Sequence, residues 1–145
     1  MATSRHVHTT IIPAAGLGTR LLPITVTVPK ELLPLVDRPI VQYGVEEAVR
    51  SGVDQIVLIT NPGSLQPASH FAPQLELERI LTERGHTELL TALRSLRTMA
   101  TVTTLHQDKP LGLGDAVLAG RPSVGNEPFA VMLPDNIIDS DPPAL

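Results

Sequence analysis

Near the N-terminus, Gly16-Leu17-Gly18-Thr19-Arg20 combines two glycines, a hydroxyl and a guanidinium in five consecutive residues. Glycine lets a backbone approach a ligand closely, and arginine can grip phosphate oxygens through paired hydrogen bonds. Preceded by Ala14-Ala15, the run reads as a phosphate site, although a bare strand-to-helix turn with a surface arginine has the same residues. Two commoner phosphate motifs are excluded. A dinucleotide fingerprint needs glycine where Leu21 stands, and no Gly-Lys-Ser or Gly-Lys-Thr is present for a P-loop.

Ten residues after Arg20 comes Lys30, within Pro29-Lys30-Glu31-Leu32-Leu33-Pro34. The prolines stiffen an extended loop and hold the lysine in a set direction, which suits a triphosphate. Taken alone, a lysine in a proline-rich surface loop is more often inert. Asp135 follows the apolar run Phe129 to Leu133 and Pro134. A carboxylate at the carboxyl end of a strand is a reasonable ligand for a hard ion, and Mg²⁺ commonly takes one or two protein carboxylates plus phosphate oxygens. The plainer reading of Asp135 is a loop cap. His70, His86 and His106 are not at zinc-ligand spacing and read as surface or core-edge residues.

These groups need a scaffold, and the periodicity supplies one. Val7 to Ile12 and Gln55 to Thr60 are short β-branched runs that predict buried strands, the first ending at Pro13 and the second at Asn61-Pro62-Gly63. Between them Val41, Val45, Ala48 and Val49 fall at helical spacing, with Pro39 near the first turn and Gly52 just beyond the last. Two helical patterns between Leu75 and Leu96 are split by Gly85, the second marked by Leu89, Leu90, Leu93 and Leu96 and read as packing. A third strand over Thr101 to Leu105, a short helix over Gly114 to Gly120 and a fourth strand over Phe129 to Leu133 complete an order β-α-β-αα-β-α-β. Alternation of this kind predicts right-handed crossovers and a parallel sheet with ligands beyond the carboxyl ends of its strands. The glycine run and Asp135 both fall at such ends.

Composition sets the outer limits. The chain has 145 residues, within the range of one compact domain, with 42% hydrophobic and 18% charged residues, which predicts a folded globular chain. Net charge is -4 and the basic residues are scattered, so no nucleic-acid face is advertised. Cysteine is absent, which removes disulfides, thiolate zinc sites and thiol nucleophiles. No apolar run is long enough for a membrane span, and Met1 to Thr10 lacks the apolar stretch of a leader, so a cytoplasmic location is expected. With only Tyr43, Phe71 and Phe129 as aromatics, the core must be built from Leu, Val, Ile and Ala.

The combined pattern, GLGTRLLP followed by VPKELLPLVDRPIVQYGVEEAV, resembles the sugar-phosphate nucleotidyltransferases, and within them the bacterial glucose-1-phosphate uridylyltransferases. The likeness continues through Gln55 to Thr60, His70-Phe71, Leu75 to Glu78, Gln107, Pro110 to Gly114 and Leu133-Pro134-Asp135, and so takes in nearly the whole chain. It implies an α/β, Rossmann-like, mostly parallel sheet with flanking helices, the nucleotide-diphospho-sugar transferase fold, here incomplete, with residues 1–145 as a single nucleotide-binding domain. By the resemblance, Ala14, Ala15 and Gly16 lie along uracil and ribose, and Gln107 and Gly112 read the base edge. Gly18, Thr19, Arg20 and Lys30 surround the triphosphate, with Arg20 and Lys30 acting in catalysis, and Asp135 holds Mg²⁺. The implied substrates are UTP and glucose 1-phosphate. The leucine-rich helices correspond to a region that tends to serve assembly, which points toward a homo-oligomer or pairing with a full-length relative.

Three departures bear on activity. Val26 stands where the family usually carries a lysine, and Asp115 where many members have histidine, which puts a negative charge near anionic substrates. Members are also roughly twice as long, and their second half supplies the sugar-phosphate site, a Glu-Lys-Pro segment and a further acidic metal ligand. The readings that stand beside uridylyl transfer are therefore a thymidylyltransferase, a chain that binds nucleotide or a longer relative without turnover, and a product without independent function.

Overall fold

The structure is a computed structural model and describes residues 6–64 and 66–145. Residues 1–5, part of the stretch read for a leader, lie outside the described residues.

The first strand, β1, runs Thr9–Pro13, slightly later than the sequence pattern suggests. A short antiparallel pair, β2 (Pro34–Leu35) and β3 (Arg38–Pro39), leads into helix α1 (Ile40–Arg50), and β4 (Gln55–Thr60) follows. Next come α2 (Gln66–Ser69), α3 (Leu75–Glu83), α4 (Thr87–Thr98) and β5 (Thr101–His106). Helices α5 (Leu113–Ala119) and α6 (Arg121–Val124) precede β6 (Phe129–Val131). The β2–β3 pair, α2 and α6 have too few residues to show a period, which is why the sequence pattern does not reveal them.

Four strands form one sheet in the order β5-β4-β1-β6, and every pair in it is parallel. The chain thus lays down β1, builds outward through β4 and β5, and returns to place β6 on the opposite side of β1. That reversal makes the gap between β1 and β6 a topological switch point, where the connections leave in opposite directions and open a crevice at the carboxyl ends.

Alternate residues of the central strands point to opposite faces, and both faces are covered. Ile12, Ile56 and Leu58 pack with Val41, Val45 and Ala48 of α1, together with Phe71 and Met132. Ile11, Val57 and Ile59 pack on the other side with Ala116 of α5 and Val124 of α6. Double coverage explains why β1 and β4 read as continuous apolar runs rather than alternating ones. The aliphatic core expected from the composition is present, with Phe71 its one buried aromatic among the described residues.

Helix α1 follows its sequence signals closely: Pro39 is extended at the N-cap, and Gly52 adopts φ +91 just past the end. The α3–α4 pair differs from its reading as packing. No residue of α4 is fully buried, and Leu89 is 58% exposed. The pair is tied instead by Glu78, whose buried carboxylate accepts from Arg94 Nε at 2.9 Å and lies 3.6 Å from Arg97 Nε. Strand β6 is an edge strand on which Phe129 and Val131 remain partly exposed. Among the described residues no helix is long and apolar enough to cross a membrane.

Candidate functional site

The site grows from the carboxyl end of β1. Ala14 N donates to Ile59 O at 2.7 Å, so the chain stays tied to β4 for one residue beyond the strand before it turns away. Both Ala14 and Ala15 are buried, and the open stretch begins at Gly16. A Cβ added at Gly16 would sit 3.5 Å from Lys30 Cε, so the missing side chain leaves room between the loop and the lysine.

Gly18 serves the turn. Its φ of +63 is left-handed, its carbonyl accepts from Thr25 Oγ1 at 2.8 Å, and a Cβ there would meet Thr25 Cγ2 at 2.9 Å. This clamp starts the 3-10 turn Thr19–Leu21, from which Arg20 projects into solvent. A further 3-10 turn, Lys30–Leu32, begins straight after an extended Pro29 and sets the direction of Lys30.

Lys30 Nζ donates to Asp135 Oδ2 at 3.0 Å. Asp135 reaches this position because pairing with β1 continues past β6, with Met132 N donating to Ile11 O at 3.0 Å. The Lys30 hydrogen bond, aided by the positive charges of Lys30 and Arg20, holds the Asp135 carboxyl below its usual range. Asp135 is therefore an anion and more than half exposed.

Beside this pair lies a residue that sequence reasoning missed. Glu31 is 2% exposed, and burial raises its carboxyl to about 6 despite a bond to its own backbone and the nearby Lys30. Its Oε1 has no hydrogen-bond partner and stands 4.0 Å from Lys30 Nζ. Its position between Lys30 and the apolar Leu32-Leu33 was the available signal, since the 3-10 turn sends neighbouring side chains to opposite environments.

The far wall is built at the end of β5. Gln107 N donates to Thr60 O at 2.9 Å, and the 5%-exposed side chain sends Nε2 to Gly112 O at 3.0 Å and to Asp115 Oδ2 at 2.8 Å. Gly112 has φ +102, a conformation L side chains rarely adopt, and caps α5. The Asp115 carboxylate is thus engaged with Gln107 rather than standing free toward a ligand.

Ala15, Gly16, Arg20, Lys30, Gln107, Gly112 and Asp135 all line one cleft of about 510 Å³ at the switch point, with Leu133 and Pro134 on its floor. Ala14 lines an adjoining cleft of about 450 Å³ with Gly16, Thr25, Val26 and Lys30. Gly18 and Thr19 line neither; Gly18 shapes the turn, and Thr19 is exposed within it.

Two cations over an open glycine loop can hold phosphate groups, and a nearby anion can share a hard cation with them. Among the described residues no group of three or more His, Cys, Asp or Glu could hold a metal. The single carboxylate of Asp135 fits an ion that arrives with phosphate oxygens and fits poorly as a self-sufficient cage. The histidines have other partners: His70 Nε2 lies 2.8 Å from Gln42 Oε1, and His106 Nδ1 lies 3.1 Å from Thr60 Oγ1.

A parallel sheet ordered as in mononucleotide-binding halves, with a cationic glycine loop at its switch point, defines an α/β phosphate-ligand-binding protein. The chain belongs to the nucleotidyl transferase family, whose sequence model matches residues 9–144. It is 45% identical over 141 residues to UTP–glucose-1-phosphate uridylyltransferase 2 of Staphylococcus saprophyticus, covering 97% of this chain and 49% of that one. It is 47% identical over 141 residues to UTP–glucose-1-phosphate uridylyltransferase YngB of Bacillus subtilis, covering 97% and 48%. The solved UTP-bound UGPase from Acinetobacter baumannii superimposes with a TM-score of 0.88 at 38% identity, over 92% of this chain and 47% of that one. The sheet therefore has the nucleotidyltransferase fold, and the chain spans about half the length of these relatives.

Proposed function

We propose that the chain forms the nucleotide side of a uridylyltransferase site, at which UTP and glucose 1-phosphate give UDP-glucose and pyrophosphate. The observation that carries this reading is the convergence of Arg20, Lys30, Asp135 and Gln107 on one cleft at the switch point. The names of the relatives support it, as does the UTP-bound state of one solved neighbour.

In this reading residues 1–145 act as one nucleotide-binding domain. Ala14, Ala15 and Gly16 run along uracil and ribose, and Gln107 and Gly112 meet the base edge. Arg20 and Lys30 grip the triphosphate, with Gly18 and Thr19 forming the turn that presents Arg20. An oxygen of the sugar phosphate attacks the α-phosphorus of UTP, a new P–O bond forms, and the bond to the β-phosphate oxygen breaks with release of pyrophosphate. Lys30 and Arg20 draw the triphosphate into line and offset charge that develops on the departing oxygens. Asp135 is the residue that would hold Mg²⁺, which supplies further charge neutralisation between phosphate oxygens when bound.

Calorimetric titration with UTP and Mg²⁺ tests the reading, with TTP and Arg20→Ala as controls. Saturable binding that prefers UTP and disappears with Arg20→Ala is the expected result. Absence of UTP binding by a folded sample overturns it. TTP serves as the control because a solved neighbour at 27% identity and TM-score 0.66 is a putative glucose-1-phosphate thymidylyltransferase from Bacillus anthracis.

A second reading, nucleotide binding without turnover, is favoured by one observation: the matched relatives are about twice as long. Tight UTP binding with no pyrophosphate release on adding glucose 1-phosphate distinguishes it.

A further inference from the structure

Gln107 stands on the wall of the cleft with its amide nitrogen fully engaged. A side-chain amide carries two N–H donors and one carbonyl acceptor. Here both donors are used, one on Gly112 O at 3.0 Å and one on Asp115 Oδ2 at 2.8 Å. Both neighbours are acceptors only, so the reverse orientation would set the Gln107 carbonyl against a carbonyl and a carboxylate. The amide is therefore fixed in one sense by its surroundings. Among the described residues, Gln107 Oε1 has no partner, yet it is not one of the buried atoms sealed off without one. It is an accessible acceptor held in place.

We propose that Asp115 is a positioning residue that locks Gln107 with its carbonyl available to the cleft, so that the site selects a base presenting a ring imide N–H. The inference rests on the nucleotide-binding reading above and extends it to base choice. A freely rotating glutamine could offer donor and acceptor together and so match several base edges. Locked by Asp115, it offers an acceptor alone. Uracil and thymine carry a donor at N3. Cytosine in the same pose would turn the N3 lone pair toward Oε1, acceptor against acceptor. Discrimination arises from that mismatch, in the way that a site built around one hydrogen bond rejects an analogue lacking it.

Titration of the full chain with UTP, N3-methyl-UTP and CTP, each with Mg²⁺, tests this. Unmodified UTP should bind at least about tenfold tighter than the other two, the difference one charge-supported hydrogen bond carries. In Asp115→Ala the UTP-over-CTP ratio should shrink to about threefold or less, because the Gln107 amide loses one of the two contacts that fix its sense. Asp115→Asn, whose carbonyl oxygen accepts the same bond, should keep most of the preference. Equal binding of UTP and N3-methyl-UTP by the unsubstituted chain overturns the proposal without any variant having to fold. So does equal weakening of UTP and CTP by Asp115→Ala, which marks a merely structural role. Failure of all three nucleotides to bind overturns the nucleotide reading itself, and the inference with it.

Discussion

Lys30 Nζ and Asp135 Oδ2 lie 3.0 Å apart although 105 residues separate them in the chain. The contact closes the switch point, joining the loop after β1 to the segment after β6. It also pairs the two groups that a phosphate and a cation would each require. A triphosphate carrying its own cation would offer Lys30 a new anion and Asp135 a new positive partner, so both groups could separate without either being left uncompensated.

Replacing the lysine separates these roles. Lys30→Met should weaken binding of UTP with Mg²⁺ by about tenfold or more, as expected for loss of a charge-assisted contact to phosphate. The same variant should raise the Asp135 pKa toward the usual carboxylate range, since Lys30 is the first cause of its depression. Titration calorimetry reads the first effect and an NMR pH titration of the side-chain carboxyls the second. An unmoved Asp135 would mean that Arg20 and the backbone, rather than Lys30, hold it ionised.

Gly18 makes a claim about the loop rather than the ligand. Gly18→Ala adds a methyl group where φ is +63 and where Thr25 Cγ2 would lie 2.9 Å away. Left-handed strain and the overlap together should destabilise the fold by about 1–3 kcal/mol, measured by urea unfolding. Stability equal to that of the unsubstituted chain would mean that the Gly18–Thr25 clamp yields easily.

Much of this was legible before any coordinates. β4 has the limits its apolar run suggested, and α1 sits between Pro39 and Gly52 as their chemistry requires. Arg20, Lys30, Gln107 and Asp135 were identifiable as residues, and the fold brings them to one cleft. What could not be read is how side chains share partners across long separations. The Lys30–Asp135 pair, the buried side of Glu31 and the Gln107–Asp115 bond depend on where strands end relative to one another. The exposure of Leu89 was hidden for another reason: helical spacing reveals an apolar stripe but not whether anything covers it.

Val26 is 74% exposed and lines the cleft beside Lys30. Val26→Lys places a third cation there without disturbing a buried contact. It should tighten UTP binding a few-fold at low salt, in keeping with the roughly 0.2–1 kcal/mol of exposed charge interactions. Because such charges are screened, the gain should fade as ionic strength rises toward 1 M. A gain that persists at high salt would point to packing by the longer side chain instead of charge.

Glu31 gives a prediction with a definite sign. Its carboxyl has an ordinary value of 4.5 and is raised to about 6 in the fold. Between those values the native chain keeps a proton that the unfolded chain releases, so this group makes stability fall as pH rises from about 4.5 to about 6. Below the window both states are protonated and the group contributes nothing; above it the deficit is constant, at about 2 kcal/mol. Glu31→Gln removes the titrating group, so the variant should be more stable than the parent at pH 7.5 by up to about 2 kcal/mol and should lose that advantage near pH 4. Urea unfolding of both proteins at these two pH values checks it. The opposing force is the Lys30 ammonium, 4.0 Å from Glu31 Oε1, whereas the Asp135 carboxylate adds to the penalty. If the parent instead gains stability relative to Glu31→Gln as pH rises through the window, attraction to Lys30 outweighs burial, and Glu31 is an ion-pair partner of the lysine rather than a buried acid.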